Sequence, residues 1–204
     1  MAAVTWYNGD VLVSTTGSLN SDFVEMAKEI LPMDVLRETL PEYDQYTFLF
    51  EIVHPNDPHI IPEDTGAYLL AMRRKQRNSQ LIYGNSLVGF DEMWGTKVPN
   101  GVSCTFEEIL DIVKTYKREG FVIYDQESDV VLKIKTPFYL ASKFIARTKK
   151  LDLIFDKGYK QHFEEEFYGL CELLQQNYSK EQFLEIAEQD RLEIIRNWAE
   201  NAYV

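Results

Sequence analysis

Cysteine is scarce in this chain, with 2 among 204 residues. Cys104 and Cys171 stand far apart, without metal-type spacing or a histidine pair beside them. That excludes a disulfide scaffold and a zinc finger, and two reduced thiols are expected. No apolar run approaches the roughly 18 residues that a membrane-spanning helix needs, and the first residues lack the basic-then-apolar pattern of a signal peptide. A cytoplasmic protein with no membrane partner is expected. Positive charge is also short: 21 Lys plus Arg face 33 Asp plus Glu, a formal net charge of -12. Such a chain has no general electrostatic affinity for nucleic acid or anionic lipid, so any polyanion must be met by a local basic patch. Internal repeats, low-complexity runs and a βαβ alternation are missing as well, which argues against a doubly wound parallel sheet.

What is present is an ordinary core-forming composition, 45% hydrophobic and 26% charged, suited to one domain or one domain with a helical extension. AVTWYNGDVLVST at 3–15 gives two β-rich runs around Asn8-Gly9, a two-residue hairpin signal. Phe23, Val24, Ala27, Ile30 and Leu31 then recur at helical spacing behind Asn20, Ser21 and Asp22 as caps. TFLFEIV at 47–53 reads as a strand with Glu51 inside it, and the proline-rich 54–66 segment as a loop. A strand over 68–72 runs into the basic cluster RRKQR. Thr105 and Glu108 form a capping box for a helix over 105–118. Gly120 turns the chain into a strand at 121–124, and the acidic QESD turn leads to another at 130–134, making a second hairpin over 119–135. From Ala141 the pattern is helical, with Ser179 and Gln182 capping one last helix whose stripe is Phe183, Leu184, Ala187, Ile194, Ile195 and Trp198. The expected class is α+β, mainly antiparallel, with a helical tail.

Three charged features sit where a buried strand would exclude them: Glu51, Glu119, and the pair Lys133 and Lys135. Residues i and i+2 of a strand share a face, so the two ammonium groups repel unless an anion lies against them. An exposed strand face explains any one of these residues alone. Together, two lysines and two glutamates can hold a phosphate through the cations while the carboxylates take a ribose hydroxyl or a metal ion. RRKQR at 73–77 and KFIARTKK at 143–150 read either as solvated charge runs or as steering patches for an RNA backbone.

FEIVHP at 50–55, YLLAMR at 68–73, EGFVIY at 119–124 and LKIKTPFY at 132–139 resemble, in order, the third, middle, fourth and fifth motifs of the covalent nucleotidyltransferases. The likeness is greatest to RNA ligases of the first T-even phage type, and YNGDVLVSTTGSLNS at 7–21 is similar to their segment just after the nucleophile. The resemblance implies an adenylyltransferase domain of the RNA/DNA ligase superfamily over 1–150, followed by a helical extension over 151–204. It further implies ATP-dependent RNA end joining, with ATP and Mg²⁺ as cofactors and RNA ends bearing a 5′-phosphate and a 3′-hydroxyl as partners. Lys133 and Lys135 would contact the α-phosphate and, with Glu119, form the catalytic set. Glu51 would hold the ribose, Glu119 would serve the metal, and Tyr139 and Arg73 would lie by the nucleotide.

The sequence departs from that family in three places. No K-x-D-G motif, the family's nucleophile, occurs in it; Thr16 replaces a basic residue before Gly17; and the HPNDPHII loop after Glu51 lacks an arginine, His59 being the nearest substitute. Two expectations follow. The chain is either an adenylyltransferase fragment completed by a separate amino-terminal segment, or a non-catalytic module that binds a nucleotide or an RNA end.

Overall fold

The computed structural model describes residues 1–57, 59–124, 131–147 and 151–201. The QESD turn and the last three residues of KFIARTKK lie outside them. The protein is mixed α+β and divides into two compact units, Met1–Ser103 and Cys104–Val204. Both cysteines are free. Among the described residues no helix is long and apolar enough to cross a membrane.

In the first unit, β1 (Ala2–Tyr7), β2 (Asp10–Ser14), β3 (Tyr46–Val53), β4 (Gly66–Arg74) and β5 (Leu81–Tyr83) form an antiparallel sheet in the order β2-β1-β3-β4-β5. The β1–β2 turn places Asn8 at φ 50° and Gly9 at φ 85°, the left-handed pair that a tight hairpin demands. Alternation in β3 sends Phe48, Phe50 and Ile52 to one face, opposite Met72, Leu69 and Ala67 of β4. Onto that face pack α1 (Asp22–Ile30), capped by Ser21, with α2 (Met33–Thr39) and α3 (Phe90–Trp94). Phe48 is fully buried, its ring 4.7 Å from Trp94 at 88° and 5.3 Å from Phe90. The Trp94 indole N–H donates to Thr39 Oγ1 at 2.9 Å, so the buried donor is satisfied.

Leu49 pairs with Ala71 but Phe50 pairs with Leu69, so Leu70 is an extra residue in β4. Without this bulge, strict alternation would put Arg73 on the same face as Ala67 and Leu69. With it, Arg73 lies opposite Thr47, on the face that also carries Glu51 and Tyr68.

The second unit begins with α4 (Phe106–Thr115), whose Thr105–Glu108 capping box is complete. A two-stranded antiparallel hairpin follows, β6 (Gly120–Tyr124) and β7 (Val131–Lys135). Next come α5 (Pro137–Arg147), three short 3-10 helices at Leu151–Phe155, Tyr159–Gln161 and Glu165–Phe167, then α6 (Tyr168–Asn177), α7 (Lys180–Glu185) and α8 (Glu188–Asn201). Helix α5 starts before Ala141 because Thr136 caps it: Thr136 Oγ1 accepts from the Tyr139 N–H at 3.0 Å, and Pro137 fits the first helical position. The expected last helix is broken where Ile186 takes an extended conformation, φ -63° and ψ 136°; its stripe holds at Phe183 and Ile195, whereas Leu184 is exposed. Leu140, Ala141 and Phe144 of α5 share one core with Ile154, Phe167, Leu170, Leu174, Phe183 and Ile195. Because α5 is part of that core, the compact unit extends well upstream of residue 150.

Phe48→Ala should destabilise the first unit by about 3 to 5 kcal/mol. Urea unfolding followed through the Trp6 and Trp94 indole NMR signals measures it, and an unchanged midpoint would show that the aromatic cluster is not the core of that sheet.

Candidate functional site

The expected site residues fall on both units, and each set has its own local geometry. In the first unit, Glu51 is directly opposite Tyr68 on the sheet face away from the Phe48 core. Its carboxylate is half-buried, 3.5 Å from the Met1 ammonium and 3.9 Å from His59 Nε2. His59 Nδ1 lies 3.5 Å from Glu63, so the loop histidine stands between two carboxylates. Lys97 completes this cluster, and nothing in the local sequence marks it. Its backbone adds a rung to β4, accepting from Leu69 N–H and donating to the Ala67 carbonyl, and its Nζ is 3.3 Å from the Tyr68 hydroxyl and 5.0 Å from the Tyr68 ring centre. In the same loop His54 is buried; its Nδ1 accepts from the Asn56 N–H, so Nε2 carries the proton and donates to Glu29 at 3.0 Å.

Arg73 is exposed at the end of β4, and its Nε donates to the Ser79 carbonyl at 2.9 Å. Arg74 donates to the Tyr46 hydroxyl and Lys75 to the Trp6 carbonyl. These three basic side chains of RRKQR therefore tie the strand end to its surroundings.

In the second unit the hairpin brings Glu119 and Lys133 together, with Nζ 2.7 Å from Oε1. Gly120 is what permits this register. It pairs with Lys135 at φ 149°, and a Cβ on it would lie 1.9 Å from the Ile134 carbonyl oxygen. Only glycine lets the backbones approach that closely. Thr136, fully buried, donates its amide to the Glu119 carbonyl and its hydroxyl to the Arg118 carbonyl. One threonine thus fixes both the entry to β6 and the start of α5.

Lys135 meets a different carboxylate: its Nζ is 2.5 Å from Glu166 Oε2 and 5.6 Å from the Tyr139 ring centre, Tyr139 lying in the first turn of α5. The other Glu166 oxygen is 2.5 Å from Lys143 Nζ, which also donates to Glu164. The repulsion expected between Lys133 and Lys135 is thereby relieved by two protein carboxylates, Glu119 for one and Glu166 for the other. Lys143 belongs to KFIARTKK, yet its side chain is only 6% exposed, so this member of the run is no solvated charge.

Burial alone would lower the Lys143 pKa, but hydrogen bonds to Glu164 and Glu166 outweigh it and raise the group above its ordinary 10.5. Burial likewise favours the neutral form of Glu166, yet hydrogen bonds from Lys135 and Lys143 hold it below its ordinary 4.5. Chemically, the arrangement is a cation pair that holds both oxygens of the Glu166 carboxylate, beside a separate surface pair, Lys133 and Glu119, in which each side chain is substantially exposed.

Among the described residues no three His, Cys, Asp or Glu side chains are placed to hold a metal ion. Glu119 offers one carboxylate. That fits a Mg²⁺ ion held mainly by phosphate oxygens and water, not a site built wholly of protein ligands. No protein-family model matches the chain, and no curated protein matches it either.

Gly120→Ala should disrupt the β6–β7 register and lower the stability of the second unit by about 1 to 3 kcal/mol. Loss of amide-exchange protection over Phe121–Tyr124 is the expected signature, and retained protection would contradict the steric account. The ion network also sets a pH dependence. Glu166 adds stability that is complete above 4.5 and lost as pH falls through its depressed folded value. Lys143 adds stability that is complete below 10.5 and lost only as pH rises through its elevated one. Urea midpoints read from the Trp198 indole signal should therefore fall on the acid side of 4.5, and Glu166→Gln should make that acid limb shallower.

Proposed function

We propose that this chain is the nucleotide-binding portion of an ATP-dependent RNA ligase-like adenylyltransferase, working on RNA ends in repair or end joining. The observation that carries this is the hairpin that joins Glu119-Gly120 to Lys133 and Lys135, with its carboxylate–ammonium pair at 2.7 Å and a glycine that no other residue can replace. The ordered motifs support the same assignment. In this scheme Lys133 and Lys135 bind the nucleotide phosphates, with Tyr139 beside Lys135. Bound Mg²⁺ would neutralise phosphate charge, with Glu119 as a ligand.

The sequence holds no K-x-D-G lysine, so the covalent step is assigned to a lysine supplied by a separate segment. That same absence favours a second assignment, a non-catalytic module that binds a nucleotide or an RNA end.

Calorimetry with ATP and Mg²⁺ tests the shared premise. Alanine at Lys133 or at Lys135 should weaken binding by about 1.5 to 3 kcal/mol each. Equal affinity in the wild type and the double variant would overturn the assignment. Incubation with radiolabelled ATP should leave no acid-stable label on this chain alone, and a labelled band would show that it carries its own nucleophile.

A further inference from the structure

Building on the nucleotide assignment above, we propose that Lys143 joins Lys135 to form the phosphate seat, and that the Glu166 carboxylate is the seat's displaceable occupant. Glu166 is gripped by one ammonium at each oxygen, 2.5 Å to Lys135 and 2.5 Å to Lys143. A phosphate group presents the same element, two anionic oxygens on one central atom, and it carries more charge. Lys143 forms the floor, with a side chain 6% exposed, while Lys135 at 26% and Glu166 at 23% remain open to an entering anion. Lys143 also donates to a second carboxylate, Glu164, whose side chain is about half exposed. The occupant itself sits on a single turn, Glu165–Phe167, anchored by the buried Phe167. Rotation of the Glu166 side chain can therefore vacate the seat without undocking the turn.

Displacement has a definite energetic consequence. An incoming phosphate gains the two lysines only after breaking two charge-assisted hydrogen bonds to Glu166, so the resident carboxylate weakens binding by the strength of what it must give up. Neutralising Glu166 while keeping its shape should release both cations for the ligand.

The test is ATP binding to the full chain by calorimetry, with inorganic pyrophosphate as a parallel probe. Glu166→Gln should tighten ATP binding by about tenfold or more. Glu165→Gln, which removes the same charge from an exposed neighbour, should change it by about twofold at most. Unchanged affinity in Glu166→Gln, with Lys133→Ala still weakening the wild type, overturns the seat and leaves the nucleotide assignment standing. Pyrophosphate binding as tightly as ATP to Glu166→Gln upholds the seat and overturns the nucleotide assignment. Absence of binding by either probe to any variant overturns both. Should Glu166→Gln fail to fold, Glu164→Gln, which takes the charge from the second carboxylate on Lys143, should tighten ATP binding by about threefold, and no change there overturns the seat.

Discussion

Taking the Lys143 ammonium out of water is costly unless carboxylates replace the lost hydration, and the middle of the second unit is arranged around that requirement. Helix α5 carries Lys143 into a layer of aromatic side chains, 5.6 Å from the Phe167 ring, while the Phe144 and Phe167 rings lie 5.1 Å apart. Glu164 and Glu166 must then come to it, which fixes the turn at Glu165–Phe167 and directs Phe167 into the core. Because Glu166 also takes Lys135, the same carboxylate links β7 to α5 and to that turn. A buried ion cluster is weak evidence for stability, since well-packed hydrocarbon often does as well or better. Here it stands beside a core that is otherwise apolar, of aliphatic and aromatic side chains together.

The lysines reach those positions through backbone constraints set a few residues away. Gly120 allows β6 to pass against the Ile134 carbonyl, and that register places Val122 opposite Lys133 and Gly120 opposite Lys135. Thr136 then converts the strand into helix within one residue, so Lys135 on β7 and Lys143 two turns into α5 converge on one carboxylate. In the first unit the extra residue at Leu70 does comparable work. It keeps Leu69 on Phe50 while moving Arg73 to the face of Glu51.

Local signals were readable from sequence wherever the physics is local. Asn8-Gly9, the two capping boxes, the alternation that turns Glu51 away from Phe48 and Phe50, and the shared face of Lys133 and Lys135 all depend on neighbours a few positions apart. The anion facing Lys135 was not readable, because Glu166 stands 31 residues further on in a turn with no periodic pattern. Lys97 escaped notice for the same reason: a lone lysine after Gly95-Thr96 gains meaning only once its backbone adds a rung to β4. Helices as short as α3 carry too few residues for a period to emerge, and the break at Ile186 interrupts an apolar stripe that continues through it. The Leu70 bulge leaves the alternation of its neighbours looking intact.

The overall charge of -12 bears on how such a site can act. An open basic groove attracts an anion from a distance and releases counterions on binding, which makes its affinity fall steeply with salt. Here Lys133, Lys135 and Lys143 are each in contact with a carboxylate on an acidic protein. Under the proposed exchange an entering phosphate would trade places with a carboxylate, so the local charge balance would change by a fraction of what an open groove undergoes. Recognition by exchange therefore gives up long-range attraction and gains selectivity: a singly charged anion replaces like with like and gains little, whereas a phosphate brings more charge to the same two ammonium groups. On that logic the carboxylate that weakens every ligand also sets the threshold that distinguishes a phosphate from the weaker anions around it.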